Sequence, residues 1–471
     1  MLMTLVQKEV MHHILSVRFV MLLLMCLLLV PLTLSINHQN YRKNLLDYQE
    51  SVKLSNIEEK IINPSMELEP ELEVSKLFLK PTPLSVFANG LGDALPSYLG
   101  MTRNGITQGP PATVSDSIAH LLGHLDFLFV IGTVFSLLAL LFTFDAVAGE
   151  REAGTLRINL ANALPRDLFL WSKLIGGYIV FVVPFLVAFL FGLLVIVWQG
   201  FPLGEPEVFP RVMILMLAAL LYIGVFFAIG TVISTYLDNA KTALIVAFTV
   251  WVFAVLIVPR IGFVAAKLIV PTKTAQSVYL EKTALRENFN AELEKRKKEM
   301  HQEFWKDRPK ASHEQMFAVG QEFDKLVQPL EGAYKQKFAD RTDQIDRNYQ
   351  REKARQEAVG ETLSRITPTS SLIYLTTNLT QTGKIKKHNY FEAADRYYGA
   401  LHADLFSKIV DHASVRSYHP DDLYTIAQPP PIAVPSLDET LRHSLMDVLF
   451  LCFFAVVLTT AAFLKFFRSD I

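Results

Sequence analysis

Leu174 to Trp198 reads LIGGYIVFVVPFLVAFLFGLLVIVW, an apolar run without one charged side chain. A bilayer core is crossed by about twenty apolar residues in a helix, because no water is present there to satisfy open backbone groups. This run meets that requirement. Working outward, five more blocks do so: Phe19–Ile36, Leu125–Phe144, Val212–Tyr236, Thr242–Val258 and Met446–Phe467. The 51% of residues that are hydrophobic are therefore gathered into blocks and not dispersed at helical or strand periods, which excludes a soluble globular protein. None of the blocks has a charge at its centre, which argues against a proton-coupled carrier or a voltage sensor.

The charge balance, 45 Lys+Arg against 46 Asp+Glu, supplies no bulk field to gather nucleic acid, and no nucleic-acid partner is expected. Cys26 and Cys452 both lie inside apolar blocks, so neither a disulfide framework nor a thiolate metal site is expected in a water-exposed part. Basic residues orient the chain. Lys8, Arg18, Arg151, Arg157, Arg166, Lys173, Lys241, Lys465 and Arg468 fall in one set of short connections, and the opposite connection, Gln199–Arg211, has Arg211 alone. Both termini are expected in the cytoplasm. Pro31-Leu-Thr-Leu-Ser35 lacks a small-residue cleavage pattern, so the first block reads as an uncleaved anchor.

The fold class expected is an all-α polytopic membrane protein of six transmembrane helices. An N-terminal interfacial helix at 1–18 places Leu2, Leu5, Val6, Val10, Ile14 and Val17 opposite Gln7, Lys8, His12 and Ser16, or else simply extends the first span at 19–36. Residues 37–123 form a first extracytoplasmic segment, small, mixed and partly irregular. It opens on a helical pattern (Tyr41, Leu45, Tyr48, Val52), then breaks at Asn63-Pro64 and Lys80-Pro-Thr-Pro83. Spans two to five occupy 124–258, and the last span with its tail occupies 445–471.

Between them, 259–444 is expected as a large helical extracytoplasmic domain. Its centre is a hairpin of Ala275–Trp305 and Ser312–Ile366, with Ser312 and Gln315 as a capping box and a kink at Pro329. The apolar stripe of the second arm is Phe323, Leu326, Leu330, Tyr334, Phe338, Ile345 and Tyr349. A further amphipathic helix places Phe391, Ala394, Tyr398, Leu401, Leu405 and Ile409 on one face. Gln428-Pro-Pro-Pro431 is then stiff and extended, and Ser436 with Glu439 caps the last span.

Catalytic signatures are weak. His313-Glu314 has no second histidine one turn on, and Gly383-Lys384 is not preceded by a P-loop glycine. His120 and His124, one turn apart beside Asp126, can in principle hold a metal, although histidines are also common at membrane interfaces. The stretch with most to say is Asp145–Lys173, DAVAGEREAGTLRINLANALPRDLFLWSK. Gly149 and Gly154 break the helix leaving span two, Glu150, Arg151 and Glu152 present charge at the break, Thr155 caps a short helix, and Pro165 ends it. The loop is longer than two joined helices require, which implies a surface displayed to the cytoplasm.

Gly149-Glu-Arg-Glu-Ala-Gly-Thr-Leu156, followed by Ala163-Leu-Pro-Arg166 and Lys173, resembles the E-x-x-x-G-T-L…P…R…K pattern of type 2 ABC transporter permeases. Gln7-Lys-Glu-Val10 with Ser16-Val-Arg-Phe19, Lys80-Pro-Thr-Pro-Leu-Ser-Val-Phe87 with Gly90, and Phe463-Leu-Lys-Phe-Phe-Arg-Ser-Asp470 resemble the subgroup with large extracytoplasmic insertions. The resemblance implies a permease subunit in a bacterial inner (plasma) membrane, paired with a second permease, the same chain or a sister, on cytoplasmic ABC ATPase subunits. It implies no cofactor in this chain, ATP and Mg being bound by the ATPase. It also makes the loop a coupling helix, with Glu150, Arg151, Glu152, Gly154, Thr155, Leu156, Pro165 and Arg166 as the contact set. The chain itself is expected to be catalytically inert and to drive substrate export or transmit force, with an envelope protein as a possible further partner. The competing expectation is a membrane-anchored receptor or scaffold that binds through its outer hairpin.

Overall fold

A computed structural model describes residues 1–57, 61–62, 72–102, 105–111, 125–161, 165–306, 313–406 and 424–468. Six helices among them are long and apolar enough to cross a membrane: Val17–Ser55, Phe127–Glu152, Arg166–Trp198, Val208–Tyr236, Ala240–Ile269 and Leu437–Arg468. Each contains one of the six apolar blocks nearly whole, and the polytopic helical fold is as expected. The ends lie further out than the blocks, because a helix satisfies its own backbone in water as well as in lipid and good helix formers carry it on. The largest extension is the first, where Val17–Ile57 is one 41-residue helix. At 1.5 Å per residue it is about 60 Å long, so the first block and the Tyr41–Val52 pattern belong to a single rod.

The chain forms two compact units, residues 1–257 with 367–471, and residues 258–366. The region expected as one domain at 259–444 is thus divided, its second half belonging with the spans. Within the first unit, span three lies against span one and the N-terminal helix, and span four is enclosed by spans two and six. Gly192 permits the first of these contacts, since a Cβ there would stand 3.2 Å from Pro31 Cα and 3.0 Å from Leu34 Cδ1. Buried phenylalanines fill the centre, with Phe181 meeting Phe135 and Phe142 edge-on at centroid separations of 6.0 and 5.5 Å. Span two opens with a π-helical turn, Val130–Phe135. The wider turn misaligns the backbone ladder, and Gly132 O accepts from Tyr222 Oη at 2.9 Å and Ser136 Oγ at 2.7 Å.

One end of this unit gathers the N-terminal helix, the span two to three loop and the close of span six, and is here termed the terminal pole. The other pole carries strands as well as helix, most of them in the first extracytoplasmic segment that the sequence leaves mixed and partly irregular. Three short strands, β2 (Ser75–Phe78), β3 (Tyr98–Thr102) and β4 (Gly105–Gln108), form an antiparallel sheet, and β1 (Ile61–Ile62) pairs antiparallel with β5 (Tyr424–Thr425). Helix Lys384–Leu401 packs on the sheet through Tyr390, Ala393, Ala394 and Tyr397. Tyr397 Oη donates to Ala427 O at 2.6 Å, and Tyr390 Oη donates to Leu77 O at 3.2 Å. The buried face is centred one residue before the one expected from Phe391 and Tyr398, because the tyrosine hydroxyls find carbonyls along the sheet. Ile409 of that expected face lies outside the described residues. At the start of span six, Glu439 N donates to Ser436 Oγ at 3.3 Å, the expected cap.

The second unit is a helical hairpin of Ala275–Lys306 and His313–Ser364, the latter running through Pro329. Phe289 stacks edge-on with Tyr334 and Phe338, His301 with Phe323, and Lys282 and Asp346 form an ion pair of 2.5 Å. These pairs follow one antiparallel register. Leu326 of the expected stripe is 53% exposed and Val327 is buried in its place. Ser312 lies outside the described residues.

Candidate functional site

The loop from Asp145 to Lys173 is held at the terminal pole by polar bonds on every side. Arg18 grips Asp145 with two bonds, 2.9 and 2.7 Å, and lies 5.0 Å from the centre of the Phe144 ring. Val147 N and Ala148 N both donate to Ser234 Oγ of span four, at 2.9 and 3.0 Å. The helix Ala148–Glu152 follows, then Gly154 at φ 73°, a left-handed turn that glycine adopts without penalty. Thr155–Ala161 is the short helix the sequence predicts. Pro165 stands at the N-terminus of span three, and Arg166 donates to Phe467 O at 3.0 Å.

The charges at the break are engaged within the chain. Glu150 pairs with Lys173 and accepts from Asn159 Nδ2 at 3.0 Å. Lys173, its side chain only 10% exposed, also meets Glu9 of the N-terminal helix at 2.9 Å. Arg151 pairs with Asp238 at 2.7 Å, and Glu152 accepts from Ala240 N at 2.9 Å. Leu156 is fully buried among Val147, Phe169, Leu170, Ala462 and Phe466. Leu156, expected in the contact set, instead fills a pocket under its own spans.

The loop nevertheless presents a surface. Glu152, Ala153, Gly154, Thr155, Arg157 and Ile158 are exposed, and Ile158 is 63% accessible. Ile158 is the residue that sequence reasoning missed. In helix Thr155–Ala161 it lies two positions beyond the buried Leu156, about 200° round the axis, so burial of one implies exposure of the other.

Glu9 is the second omission. It was assigned to neither face of the N-terminal helix, yet it is 8% exposed. Gly176 permits this approach, as a Cβ there would fall 2.8 Å from Glu9 Cβ and 3.4 Å from Val6 O. Next to it, burial holds the His13 imidazole below its usual range, against a smaller upward pull from Glu9.

Elsewhere, His120 and His124 lie outside the described residues, and Asp126 caps span two by accepting from Phe129 N at 2.7 Å. Among the described residues no group of three His, Cys, Asp or Glu side chains comes together as a metal site.

Six spans with a structured loop and both terminal segments at one pole define a polytopic helical membrane protein. The family model described as ABC-2 family transporter protein matches residues 3–471, and the chain belongs to that family, the permease components of ABC transporters. A search of curated proteins finds no match.

Proposed function

We propose that the terminal pole faces the cytoplasm and that helix Thr155–Ala161 is the element through which a partner ATPase moves this permease. The observation that carries this reading is the division of labour along the loop. Leu156 and Glu150 fasten it to spans three and six and to the N-terminal helix, while Thr155, Arg157 and Ile158 are left for another surface. A lever needs both parts. Displacement of the exposed face is passed to the spans as a rigid-body motion, because the buried side is packed and ion-paired. ATP and Mg belong to the partner, and a second permease completes the assembly.

The test is substitution of Arg157→Glu with Ile158→Asp in the full chain expressed with its partner ABC ATPase. Truncating a central contact costs on the order of 2 kcal/mol, so binding of the ATPase weakens about thirtyfold while the permease still inserts. Unchanged co-purification and unchanged ATP turnover would overturn the assignment. Reversal of Glu150 is a poorer test, since it sets a lysine against Lys173 and damages the fold before any contact is probed.

A further inference from the structure

The pole opposite the termini holds a chamber that the coupling loop does not use. Its larger lobe, about 880 Å³, runs from Glu207 and Arg211 at the start of span four to strand β2 and the extended segment Gln428–Pro435. A second lobe of about 860 Å³ shares Tyr48, Lys76, Leu79, Thr82 and Lys386 with the first. Each is near the upper end of the roughly 300–1,000 Å³ usual for small-molecule sites. The wall is mixed: Val52, Leu79, Pro83, Ile432 and Val434 line one side of the larger lobe, and Lys80 and Glu205 line it as well, with Asp47 in the second lobe.

Its charges are unevenly satisfied. Glu207 holds Arg211 at 3.0 Å, Glu73 holds Lys76 at 3.1 Å, and Asp93 accepts from Asn89 at 2.6 Å. Arg211 is fully buried and donates to Pro435 O at 2.7 Å, but its Nε has no acceptor among the described residues. Lys386 lines both lobes, and among the described residues no carboxylate or carbonyl accepts from its Nζ. Burial alone lowers its pKa to about 8, which still leaves the amine mostly cationic at neutral pH. Two residues other than glycine adopt positive φ among the described residues, Glu207 at 70° and Gln381 at 56°, and both line the larger lobe. Such conformations concentrate at ligand sites, where surrounding structure holds them.

We infer that this chamber binds an amphiphile bearing one anionic group, a carboxylate or a phosphate monoester on an apolar body, with the Lys386 ammonium as its counter-ion. A cation with no partner among the described residues, where an apolar-lined lobe meets a more polar one, selects the charge, and the apolar side of the larger lobe selects the body. The inference goes beyond the coupling reading and does not rest on it, since it needs only the folded chain.

The full chain is placed in discs of zwitterionic phosphatidylcholine, with empty discs as the baseline, and titrated with dodecanoate, dodecyl phosphate, dodecanol and inorganic phosphate. Dodecanoate or dodecyl phosphate binds about tenfold or more tighter than dodecanol, and whichever is the tighter tells a free fatty acid from a lipid phosphate. Lys386→Gln abolishes the preference and Lys386→Arg keeps it. In the unsubstituted protein the same ligand slows modification of Lys386 by an amine reagent, read by peptide mass spectrometry. Equal binding of dodecanoate, dodecyl phosphate and dodecanol, or an unchanged preference in Lys386→Gln, overturns the site. Inorganic phosphate competing as well as dodecyl phosphate overturns the amphiphile.

Discussion

Lys173 and Lys386 belong to one compact unit and have opposite surroundings. At the terminal pole Lys173 lies between Glu9 and Glu150, so three charges drawn from the N-terminal helix, the loop and span three neutralise much of one another. At the other pole Lys386 opens onto a chamber with no acceptor for its ammonium among the described residues. Taking a charge out of water is costly unless a partner compensates it. A buried charge that is fully paired fastens structure together, whereas one left unpaired is a standing cost that a ligand can remove. On that argument the first lysine belongs to the lever and the second to the chamber.

The comparison breaks most easily at Lys173. Lys173→Gln leaves the buried Glu9 and the partly buried Glu150 without their cation, and removing one partner of a buried pair costs about 3–5 kcal/mol. Thermal unfolding in lipid discs is expected to shift down strongly. Adding Glu9→Gln and Glu150→Gln recovers most of the loss. A Lys173→Gln protein as stable as the original would mean that the triad holds nothing together.

A smaller effect is expected from His13. Its folded pKa lies below the usual 6.5, so the undocked segment binds more protons as the solution is acidified through that value. The contribution of His13 to docking is present above pH 6.5 and is lost as pH falls toward its lowered pKa. The protection of the Leu2–Ile14 amides, taken relative to their intrinsic exchange rate at each pH, should therefore fall below about pH 6.5, by less than the Lys173 substitution causes. His13→Leu removes that dependence, and protection that still falls below about pH 6.5 in this variant would assign it to another group.

The smallest change sharpens the contrast from the other side. Lys386→Met removes a partly desolvated charge that has no partner among the described residues to strand, so without ligand stability is slightly raised at pH 7. In the original chain the folded state favours the neutral amine. Its stability therefore rises between about pH 8 and the ordinary lysine value, and the gap to the variant closes over that interval. A marked destabilisation by Lys386→Met would give Lys386 a structural partner and remove its kinship with a ligand site.

How much was legible beforehand differs between elements. The apolar blocks are long, uncharged and one-dimensional, so six spans follow from the chain without knowledge of neighbours. The hairpin register was nearly as accessible, because a sparse stripe at helical spacing has one face to bury, and only Leu326 gave way to Val327. The loop was readable as an interruption, through Gly154 and Pro165. It was not readable as a surface. Glu150, Arg151 and Glu152 look alike as charges in a string, and each takes a partner, Lys173, Asp238 or the backbone at Ala240, that is distant in sequence.

Arg211 makes the same point at the other pole. Alone in a short connection, it counted only as a weak topological signal. Folded, it ties span four to Leu379, Pro435 and Thr440, at 3.2, 2.7 and 3.2 Å. The sequence by itself determined which segments seek lipid, where helices break and which family the chain resembles, because hydrophobic length and local backbone preference act on neighbours along the chain. Only the tertiary structure decided which charges are paired inside, that Ile158 and not Leu156 faces outward, and that Lys386 stands without a counter-charge among the described residues. Pairing and burial depend on residues brought together from as far apart as Glu9 and Lys173, and no local pattern records those meetings.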